Sequence, residues 1–275
     1  MKAISVLMPT YNAGKFVAEA IQSVQQQSFE DWELVIVDDG STDDTCEIVR
    51  SFADTRIRLL CNGHDFIGSL NMGLKAAMGK YIARMDADDV MHPDRLKIQY
   101  AIMEEEPEIT VCGSWIRIFG ENKPGIVPTS LKGKLTGIYD LLLKQNPLFH
   151  PTVMMRGEFL RKHSLQYECY SHAEDYKLWF EIAKKGGVFF VEDQPLMFYR
   201  ASESQVSNVH TDEQKETSCR IRKEVLEYLV EKAKNYQSIP LIKQGLEIAE
   251  KEGLVSMENM YKMLSIILPK SIINN

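Results

Sequence analysis

Residues 79–89 read Gly-Lys-Tyr-Ile-Ala-Arg-Met-Asp-Ala-Asp-Asp, in which an apolar run passes directly into three aspartates. Three similar runs come before it, each rich in β-branched residues and bounded by turn-forming ones: Ile4–Met8, Leu34–Val37 and Ile57–Leu60. Runs of this length and composition are typical of strands that are buried on both faces. With Tyr81–Met85, they predict four strands in the first 90 residues.

The segments between these strands have the periodicity of helices. Apolar residues share one helix face in the intervening segments, as at Phe16, Ala20 and Val24. Strands that alternate with helices in this way pair in parallel through right-handed crossovers. The sequence therefore predicts an α/β fold, with a mainly parallel open sheet and helices on both faces.

The regular alternation of predicted strands and helices ends at about Pro93. The later pattern predicts helices at about 93–105, 135–143 and 174–185, and strands at about 109–119, 150–156 and 188–199. From Thr211 onward the pattern is helical. A length of 275 residues favours one main domain with an appendage, so we place a main domain at 1–209 and a helical C-terminal extension at 210–275.

Charge and cysteine content narrow the class of protein. The net charge is −7, and residues 210–275 contain ten acidic and ten basic residues, so the excess acid lies in residues 1–209. An acidic body argues against a nucleic-acid partner, which favours a basic face. The five cysteines form no Cys-x-x-Cys pair and are expected to be reduced thiols. The first apolar run is too short for a signal peptide, and no run is long enough to span a membrane. We therefore expect a cytoplasmic protein.

Polar loops follow three of the predicted strands: Pro9–Asn12, Asp38–Asp43 and Asp86–Asp89. In an open parallel sheet, ligands bind outside the carboxyl ends of the strands. Because these loops all follow strands of one sheet, we expect them to converge at one edge of it.

Three carboxylates lie within four residues in the last of these loops, at Asp86, Asp88 and Asp89. Their like charges raise one another's pKa unless a cation is present. Mg²⁺ or Mn²⁺ commonly binds carboxylates together with substrate phosphates. The alternative is a solvated turn in which Asp89 or Asp94 caps the next helix. An EF-hand is excluded because Met91 stands where its glycine would be.

Two other groups have both a structural and a functional interpretation. Asp39 either ends a strand or accepts hydrogen bonds from a nucleobase or ribose, and Tyr11 either packs or stacks on the base. Glu174 and Asp175 open a predicted helix, where acids favour the helix dipole, yet either could be a general base. The chain contains neither a P-loop nor Gly-x-Gly-x-x-Gly, so an NTPase or a dinucleotide dehydrogenase has no support.

These loops together, in this order, resemble the family-2 glycosyltransferases with the A-type nucleotide-sugar-binding fold. The resemblance covers roughly residues 2–205 and rests on residues 5–12 (SVLMPTYN), 33–43 (ELVIVDDGSTD) and 79–89, with Glu174-Asp175 downstream. It implies that the main domain is a Rossmann-like catalytic domain. The implied reaction moves a sugar from a nucleotide diphosphate sugar, most often UDP-linked in similar proteins, to an acceptor hydroxyl. The acceptor would be a growing glycan or a lipid-linked saccharide, and a single metal-assisted displacement would invert the anomeric carbon.

The resemblance also implies roles for individual residues. Asp88 and Asp86 would ligate Mg²⁺ or Mn²⁺, Asp175 would be the general base, and Glu174 would orient the acceptor hydroxyl. Thr10, Tyr11 and Asp39 would hold the base, and Asn71 and Arg84 would lie toward the diphosphate. The complete implied set at the nucleotide is Pro9, Thr10, Tyr11, Asn12, Asp39, Asn71, Arg84 and Asp86.

The chain departs from the family pattern in two ways. Similar proteins often have a His two residues after a Tyr-Arg pair, whereas Tyr199-Arg200 is followed here by Ala201-Ser202. The Gln-x-x-Arg-Trp motif and the membrane helices of processive synthases are also missing, which favours one sugar addition per encounter.

Two other functions fit parts of the pattern. A haloacid-dehalogenase-type phosphatase would use Asp86 and Asp88 as an Asp-x-Asp loop, but the chain has no Gly-Asp pair for its later metal site. A non-catalytic nucleotide-sugar-binding protein would keep the fold without needing Glu174-Asp175. The amphipathic tail, Met257–Ile273, either packs on the body or makes peripheral contact with the inner face of a membrane, where lipid-linked acceptors lie.

Overall fold

The computed structural model describes residues 2–120, 125–201, 211–233 and 238–268. The strands are β1 (Ile4–Thr10), β2 (Trp32–Asp38), β3 (Ile57–Cys61), β4 (Tyr81–Arg84), β5 (Val90–Met91), β6 (Ile109–Gly120), β7 (Gly125–Val127), β8 (Gly133–Lys134), β9 (Met154–Arg156) and β10 (Val188–Ala201). The helices are α1 (Val17–Gln25), α2 (Thr45–Ser51), α3 (Phe66–Ala76), α4 (Arg95–Glu105), α5 (Ile138–Lys144), α6 (Gly157–Lys162), α7 (Glu174–Lys184), α8 (Thr211–Lys232), α9 (Ser238–Lys251) and α10 (Met257–Ile267). A 3₁₀ turn covers His150–Thr152.

These strands form a single mixed sheet. Its order is β3-β2-β1-β4-β9-β6-β10-β5, with β7 paired to β6 and β8 paired to β10. Neighbours among β1 to β4 pair in parallel, as do β6 and β10. On this path β9 is antiparallel to β4 and to β6, and β5 is antiparallel to β10. All strands of the path other than β9 and β5 therefore run in one direction, which confirms the mainly parallel open sheet.

Contacts divide the chain into two compact units. The first consists of Met1–Lys134, Leu148–Cys169 and Gly187–Gln205, and the second of Leu135–Pro147, Tyr170–Gly186 and Val206–Asn275. The sheet belongs to the first unit. The domain boundary between 209 and 210 stays a prediction, because the second unit also takes in two segments that precede it.

Both faces of the parallel strands in the first unit are covered by helices, as predicted. Val6 and Met8 of β1 belong to one core cluster with Val17 of α1. Alternate residues of a strand point to opposite faces, so Leu7 points the other way, toward α3. There a Cβ atom placed on Gly73 would lie 2.0 Å from Leu7 Cδ1. The helix therefore approaches the sheet more closely than any larger residue would allow.

Two predicted elements differ from the structure. In the strand predicted at 150–156, only Met154–Arg156 is β9, because a turn in which the Thr152 N–H donates to the Phe149 carbonyl precedes it (3.0 Å). Pro151 favours that turn, since it has no N–H for a strand ladder. The helix predicted from residue 135 begins at 138, because Gly137 just before it has a φ of +65°, a left-handed conformation that favours glycine.

The second unit is helical. Four apolar residues on one face of α8 are fully buried: Ile221, Val225, Leu226 and Leu229. Lys177 of α7 lies 2.6 Å from the Glu224 carboxylate of α8, and Tyr139 of α5 donates to the Ala183 carbonyl of α7 at 2.9 Å. The helices are therefore joined by polar contacts as well as by apolar ones.

Part of the predicted tail, 257–273, is the amphipathic helix α10, while residues 269–273 lie outside the described residues. Met260, Tyr261 and Leu264 are buried, whereas Met263 is 43% exposed and Ile266 is 82% exposed. Within the described ranges, none of the helices combines the length and the hydropathy that crossing a membrane requires.

Candidate functional site

The loop after β1 is bonded to the loop after β2. In these neighbouring strands Thr10 is paired with Asp38, and the Asp39 N–H donates to the Thr10 carbonyl at 2.8 Å. Asn12 has a φ of +47°, and its side-chain oxygen accepts from the Thr42 N–H at 2.8 Å. Thr10 is buried together with Pro9 at the end of β1, and its Oγ1 has no hydrogen-bond partner among the described residues. The structure therefore brings Pro9, Thr10, Asn12 and Asp39 together.

Asp39 is a buried carboxylate with defined donors. Its Oδ1 accepts from the Asp65 N–H and from the Ser69 hydroxyl, each at 2.7 Å. The side chain of His64 lies close by, with Nδ1 3.9 Å from Oδ2 of Asp39. The half-exposed ring of Tyr11 packs on the His64 ring, with centroids 4.6 Å apart. These contacts hold an acidic group and an aromatic ring at the same edge of the sheet.

His64 is a residue that sequence reasoning missed. It has a φ of +55°, a left-handed conformation that is uncommon for a residue with a Cβ atom. The available signal was the turn Asn62-Gly63-His64, which directly follows the third predicted strand and therefore lies at the same sheet edge. A strained residue in contact with two predicted site residues is typical of a functional loop.

Three carboxylates lie close together in the loop after β4. Ligand oxygens of Asp86, Asp88 and Asp89 all lie within 4.8 Å of one another. Burial, followed by the charge of Asp86, raises the pKa of Asp88 from 3.8 to about 6. Burial, with the charges of Asp86 and Asp88, raises the pKa of Asp89 well above its usual range. The capping alternative is wrong for Asp89, which is fully buried, and Asp94 begins α4 without a side-chain capping bond.

The chemistry of this cluster fits a divalent cation. Oδ1 of Asp89 accepts from the Arg200 N–H at 2.9 Å, but its Oδ2 is buried with no hydrogen-bond partner among the described residues. A buried carboxylate oxygen without a donor is costly, and a cation among three carboxylates removes both that cost and their mutual repulsion. The residues present would hold Mg²⁺ or Mn²⁺ through hard oxygen ligands.

Arg84 is the internal counter-charge of the cluster. It is 3% exposed, and its Nη2 lies 2.5 Å from Oδ1 of Asp86. Burial opposes its charge, but the carboxylates of Asp86 and Asp89 raise its pKa. Its Nε and Nη1 are buried with no hydrogen-bond partner in the part of the chain that the structure describes. The predicted role of Arg84 at the diphosphate stays a prediction.

Arg200 supports the cluster from β10, and sequence reasoning did not assign it a role. Its Nε donates to the Asp88 carbonyl at 2.7 Å, and its guanidinium lies over the ring of Phe119, 4.4 Å from the ring centre. The same guanidinium pairs with Glu19 of α1. The Tyr-Arg pair in the sequence was the available signal. Ser202, at the position where similar proteins often have His, lies outside the described residues.

Asn71 of α3 holds a loop of the first unit. Both ends of its side-chain amide bond with the backbone of Tyr167, at 2.8 and 2.9 Å. The Tyr167 hydroxyl in turn lies 2.8 Å from Nε2 of His150. Burial, with the positive charge of Arg84, lowers the pKa of His150 well below its usual range. The predicted contact of Asn71 with a diphosphate stays a prediction.

Glu174 and Asp175 lie in the second unit, at the first turn of α7, and both are buried. Oδ2 of Asp175 accepts from the side-chain amide of Asn146 at 2.8 Å, and Oδ1 accepts from the Tyr176 N–H at 2.6 Å. Asn146 is a second residue that sequence reasoning missed, since nothing in the sequence links it to a residue 29 positions away. Its amide orients the carboxylate that is predicted to be the general base.

Comparison with known proteins identifies the family. The family model described as Glycosyl transferase family 2 matches residues 5–165, more than half of the chain. The chain belongs to glycosyl transferase family 2. The resemblance noted in the sequence is therefore confirmed, and the protein is a glycosyltransferase. This assignment favours sugar transfer over the phosphatase alternative.

Two relatives with similar sequences are also named as glycosyltransferases. An uncharacterized glycosyltransferase of Haemophilus influenzae is 34% identical over 242 residues, which cover 83% of this chain and 75% of the relative. An Escherichia coli protein named UDP-Glc:alpha-D-GlcNAc-diphosphoundecaprenol beta-1,3-glucosyltransferase WfgD is 32% identical over 212 residues, which cover 74% of this chain and 79% of the relative.

Solved structures share the fold of this glycosyltransferase. The crystal structure of S. aureus TarS 1-349 in complex with UDP-GlcNAc superposes with a TM-score of 0.67 at 24% identity, over 82% of this chain and 66% of that chain. A mannosyltransferase from Pyrobaculum calidifontis, in complex with GDP-Man and Mn²⁺, has a TM-score of 0.58 at 16% identity, over 97% of this chain and 86% of that chain. The predicted α/β fold class is thus confirmed.

Proposed function

We propose that this glycosyltransferase transfers a sugar from a UDP-sugar to a hydroxyl of a lipid-linked saccharide, in one displacement that inverts the anomeric carbon. The observation that carries the proposal is the carboxylate cluster at the end of β4. Oxygens of Asp86, Asp88 and Asp89 lie within 4.8 Å of one another, in the loop that follows β4, the neighbour of β1. The loops after β1 and β2 end at the same edge, where a nucleotide would bind.

The donor nucleotide is assigned to the β1 and β2 loops. The exposed face of Tyr11 would stack on the base, and the Asp39 carboxylate would accept from a base N–H such as that of uracil. UDP is favoured because S. aureus TarS is described in complex with UDP and with UDP-GlcNAc, and the E. coli relative is named for UDP-Glc. Thr10 brings a buried hydroxyl without a partner in the described residues to the same edge.

Asp86 and Asp88 are the residues that would hold Mg²⁺ or Mn²⁺, with Asp89 behind them. A cation held there would stabilise the negative charge that develops on the diphosphate leaving group. The chain's own contribution is to keep the carboxylates close together and to position their loop through Arg200, whose Nε donates to the Asp88 carbonyl at 2.7 Å. The Pyrobaculum calidifontis neighbour, which is described with Mn²⁺, supports the same class of ion.

Asp175 is the proposed general base. An acceptor hydroxyl is a poor nucleophile until a carboxylate takes its proton. The hydrogen bond from Asn146 at 2.8 Å fixes the orientation of the Asp175 carboxylate, and Glu174 beside it would orient the acceptor hydroxyl. A single attack on the anomeric carbon, with departure of the nucleoside diphosphate, gives inversion.

The acceptor is assigned from the E. coli relative, whose name specifies a sugar on diphosphoundecaprenol. An acceptor with so long an apolar chain would be held in a membrane. The exposed side chains of Met263 and Ile266 on α10 supply an apolar surface for peripheral contact there.

The test replaces Asp175 by Asn, which keeps the size of the side chain and removes its basicity. We expect kcat to fall about 10²- to 10⁴-fold, while UDP binding with Mn²⁺, measured by calorimetry, is unchanged. Asp193→Asn, at an exposed acid of β10, is the control and should keep full turnover. Unchanged turnover in Asp175→Asn contradicts the base assignment, and an NMR assignment of a retained anomer in the product contradicts inversion.

A further inference from the structure

The second unit contains a cleft of about 450 Å³ beside the start of α7, a volume that suits a small ligand group. Its lining is basic. Lys144 comes from the end of α5, His172 from the loop before α7, and Lys215 and Arg222 from one face of α8. No Asp or Glu is found among the described residues that line it. The lining therefore offers N–H donors and cationic side chains, which are the groups that bind an anion.

The guanidinium of Arg222 uses only part of its hydrogen-bonding capacity within the described residues. Its Nε is buried without a hydrogen-bond partner among them. Its Nη1 reaches the Lys144 carbonyl only at 3.4 Å, and its guanidinium carbon lies 5.6 Å from the ring centre of Tyr261. A buried guanidinium N–H without an acceptor is costly, and a phosphate oxygen is an acceptor that matches guanidinium geometry.

The two lysines of the lining and His172 each lie close to an acidic side chain. Lys144 lies 2.6 Å from Asp140, Lys215 lies 3.2 Å from Asp212, and His172 lies 3.4 Å from Glu213. Ion pairs with solvent-exposed members contribute little stability, so the lysine ammonium groups can turn to an entering anion at small cost.

The cleft adjoins the proposed general base within the same unit. Asn146 lines the cleft and donates to Oδ2 of Asp175 at 2.8 Å. Ala173 and Tyr176, which flank the Glu174-Asp175 pair in the sequence, are also part of the lining. An anionic group in the cleft would therefore be held beside the carboxylate that is assigned to the acceptor.

We propose that this cleft binds the diphosphate of the acceptor, which the proposed function takes to be a saccharide linked through a diphosphate to an alkyl chain. Arg222 and Lys215 hold the diphosphate, and the saccharide attached to it presents its hydroxyl to Asp175. The inference rests on the proposed function, because it takes Asp175 as the base that serves the acceptor.

The direct test is calorimetric titration with octyl diphosphate in metal-free buffer. We compare the wild-type protein with the double variant Lys215→Gln, Arg222→Gln, in which the two cleft cations of α8 are neutral. Loss of two charge-assisted hydrogen-bonding groups should weaken binding at least about 10-fold. The matched control is Lys223→Gln, which removes one charge from an exposed position of the same helix and should bind as the wild type does. Equal affinity in all three proteins overturns the proposal, as does displacement of octyl diphosphate by metal-free UDP.

A kinetic test separates this inference from the proposed function. Transfer from the UDP-sugar is measured to a saccharide on octyl diphosphate and to the same saccharide on an uncharged octyl chain. The double variant should raise KM about 10-fold or more for the charged acceptor only, with the donor KM unchanged, and Arg222→Lys should recover part of the loss. An equal loss on both acceptors overturns the proposal and indicates a structural effect.

Different results would contradict the proposed function and the assignment of the cleft to the acceptor. If the wild type binds octyl diphosphate through Arg222 but transfers no sugar from any UDP-sugar, the proposed function is wrong and the anion site stands. If transfer proceeds equally well to charged and uncharged acceptors, sugar transfer stands and the acceptor assignment of the cleft is wrong.

Discussion

Replacing Asp88 by Asn should stabilise the metal-free protein at neutral pH and at the same time abolish its stabilisation by Mn²⁺. Burial, followed by the charge of Asp86, raises the pKa of Asp88 from 3.8 to about 6. One pKa unit corresponds to about 1.4 kcal/mol, so keeping Asp88 ionised in the folded state costs roughly 3 kcal/mol. Asn has nearly the same shape and no charge, and the Asp88 backbone carbonyl keeps its bond to Arg200 in the variant.

The sign of the change in the free energy of unfolding follows from the direction of the pKa shift. Because the folded-state pKa is raised, the cost is absent below pH 3.8, develops between pH 3.8 and about 6, and is complete above that range. The free energy of unfolding of Asp88→Asn in EDTA should therefore exceed that of the wild type by up to roughly 3 kcal/mol at about pH 7.5, and by little at about pH 4. Mn²⁺ should raise the stability of the wild type by its binding free energy, and that of the variant much less.

The assay is urea denaturation at both pH values, with EDTA and with Mn²⁺. Asp86→Asn is the matched comparison, since it removes the same charge from the same cluster. Arg84 contacts Asp86 at 2.5 Å and is 3% exposed, so this variant removes the nearest counter-charge of a buried guanidinium and leaves it only the more distant Asp89. The variant should therefore be less stable than the wild type, by up to roughly 3 kcal/mol. If Asp88→Asn is less stable than the wild type in EDTA at neutral pH, the electrostatic reasoning is refuted.

Two further predictions concern packing and the membrane. The free energy of unfolding of Gly73→Ala, measured by thermal or urea denaturation, should be about 1–3 kcal/mol lower than that of the wild type, because the new Cβ would lie 2.0 Å from Leu7 Cδ1. Gly245→Ala, where the Cβ would enter open space, is the control and should be neutral or stabilising. Gly73→Ala with wild-type stability would mean that α3 can move away from the sheet. Ile266→Glu should reduce co-sedimentation with anionic vesicles, since Ile266 is 82% exposed on α10, and unchanged sedimentation would exclude α10 as the membrane-contact surface.

Most of the fold could be predicted from the sequence because its signals are local. The first four strands are confirmed to within two residues at each end, since a buried strand has its apolar run and its turn residues in one continuous stretch. The same holds for the candidate site, whose loops directly follow those strands. Pro151 and Gly137 show the limit of this reasoning, because each moves the start of a predicted element by three or four residues without changing the type of that element.

The contacts that give the site its chemistry could not be predicted. Arg200 reaches Asp88 across 112 residues, His64 reaches Asp39 across 25, and Asn146 reaches Asp175 across 29. No sequence pattern or motif links the two residues of any of these pairs. Each pair joins elements that come close only because of how the strands and helices are arranged.

For this glycosyltransferase, the order of residues along the chain was enough to place acidic loops at the ends of parallel strands, because strand and turn formation depend on near neighbours. Only the tertiary structure decided that Asp89 is fully buried and that Arg84 is its internal counter-charge. Only the folded chain, likewise, gathers Lys144, Lys215 and Arg222 around one cleft. Burial and pairing set the electrostatic energy of a charged group, and both depend on atoms that are distant in the sequence.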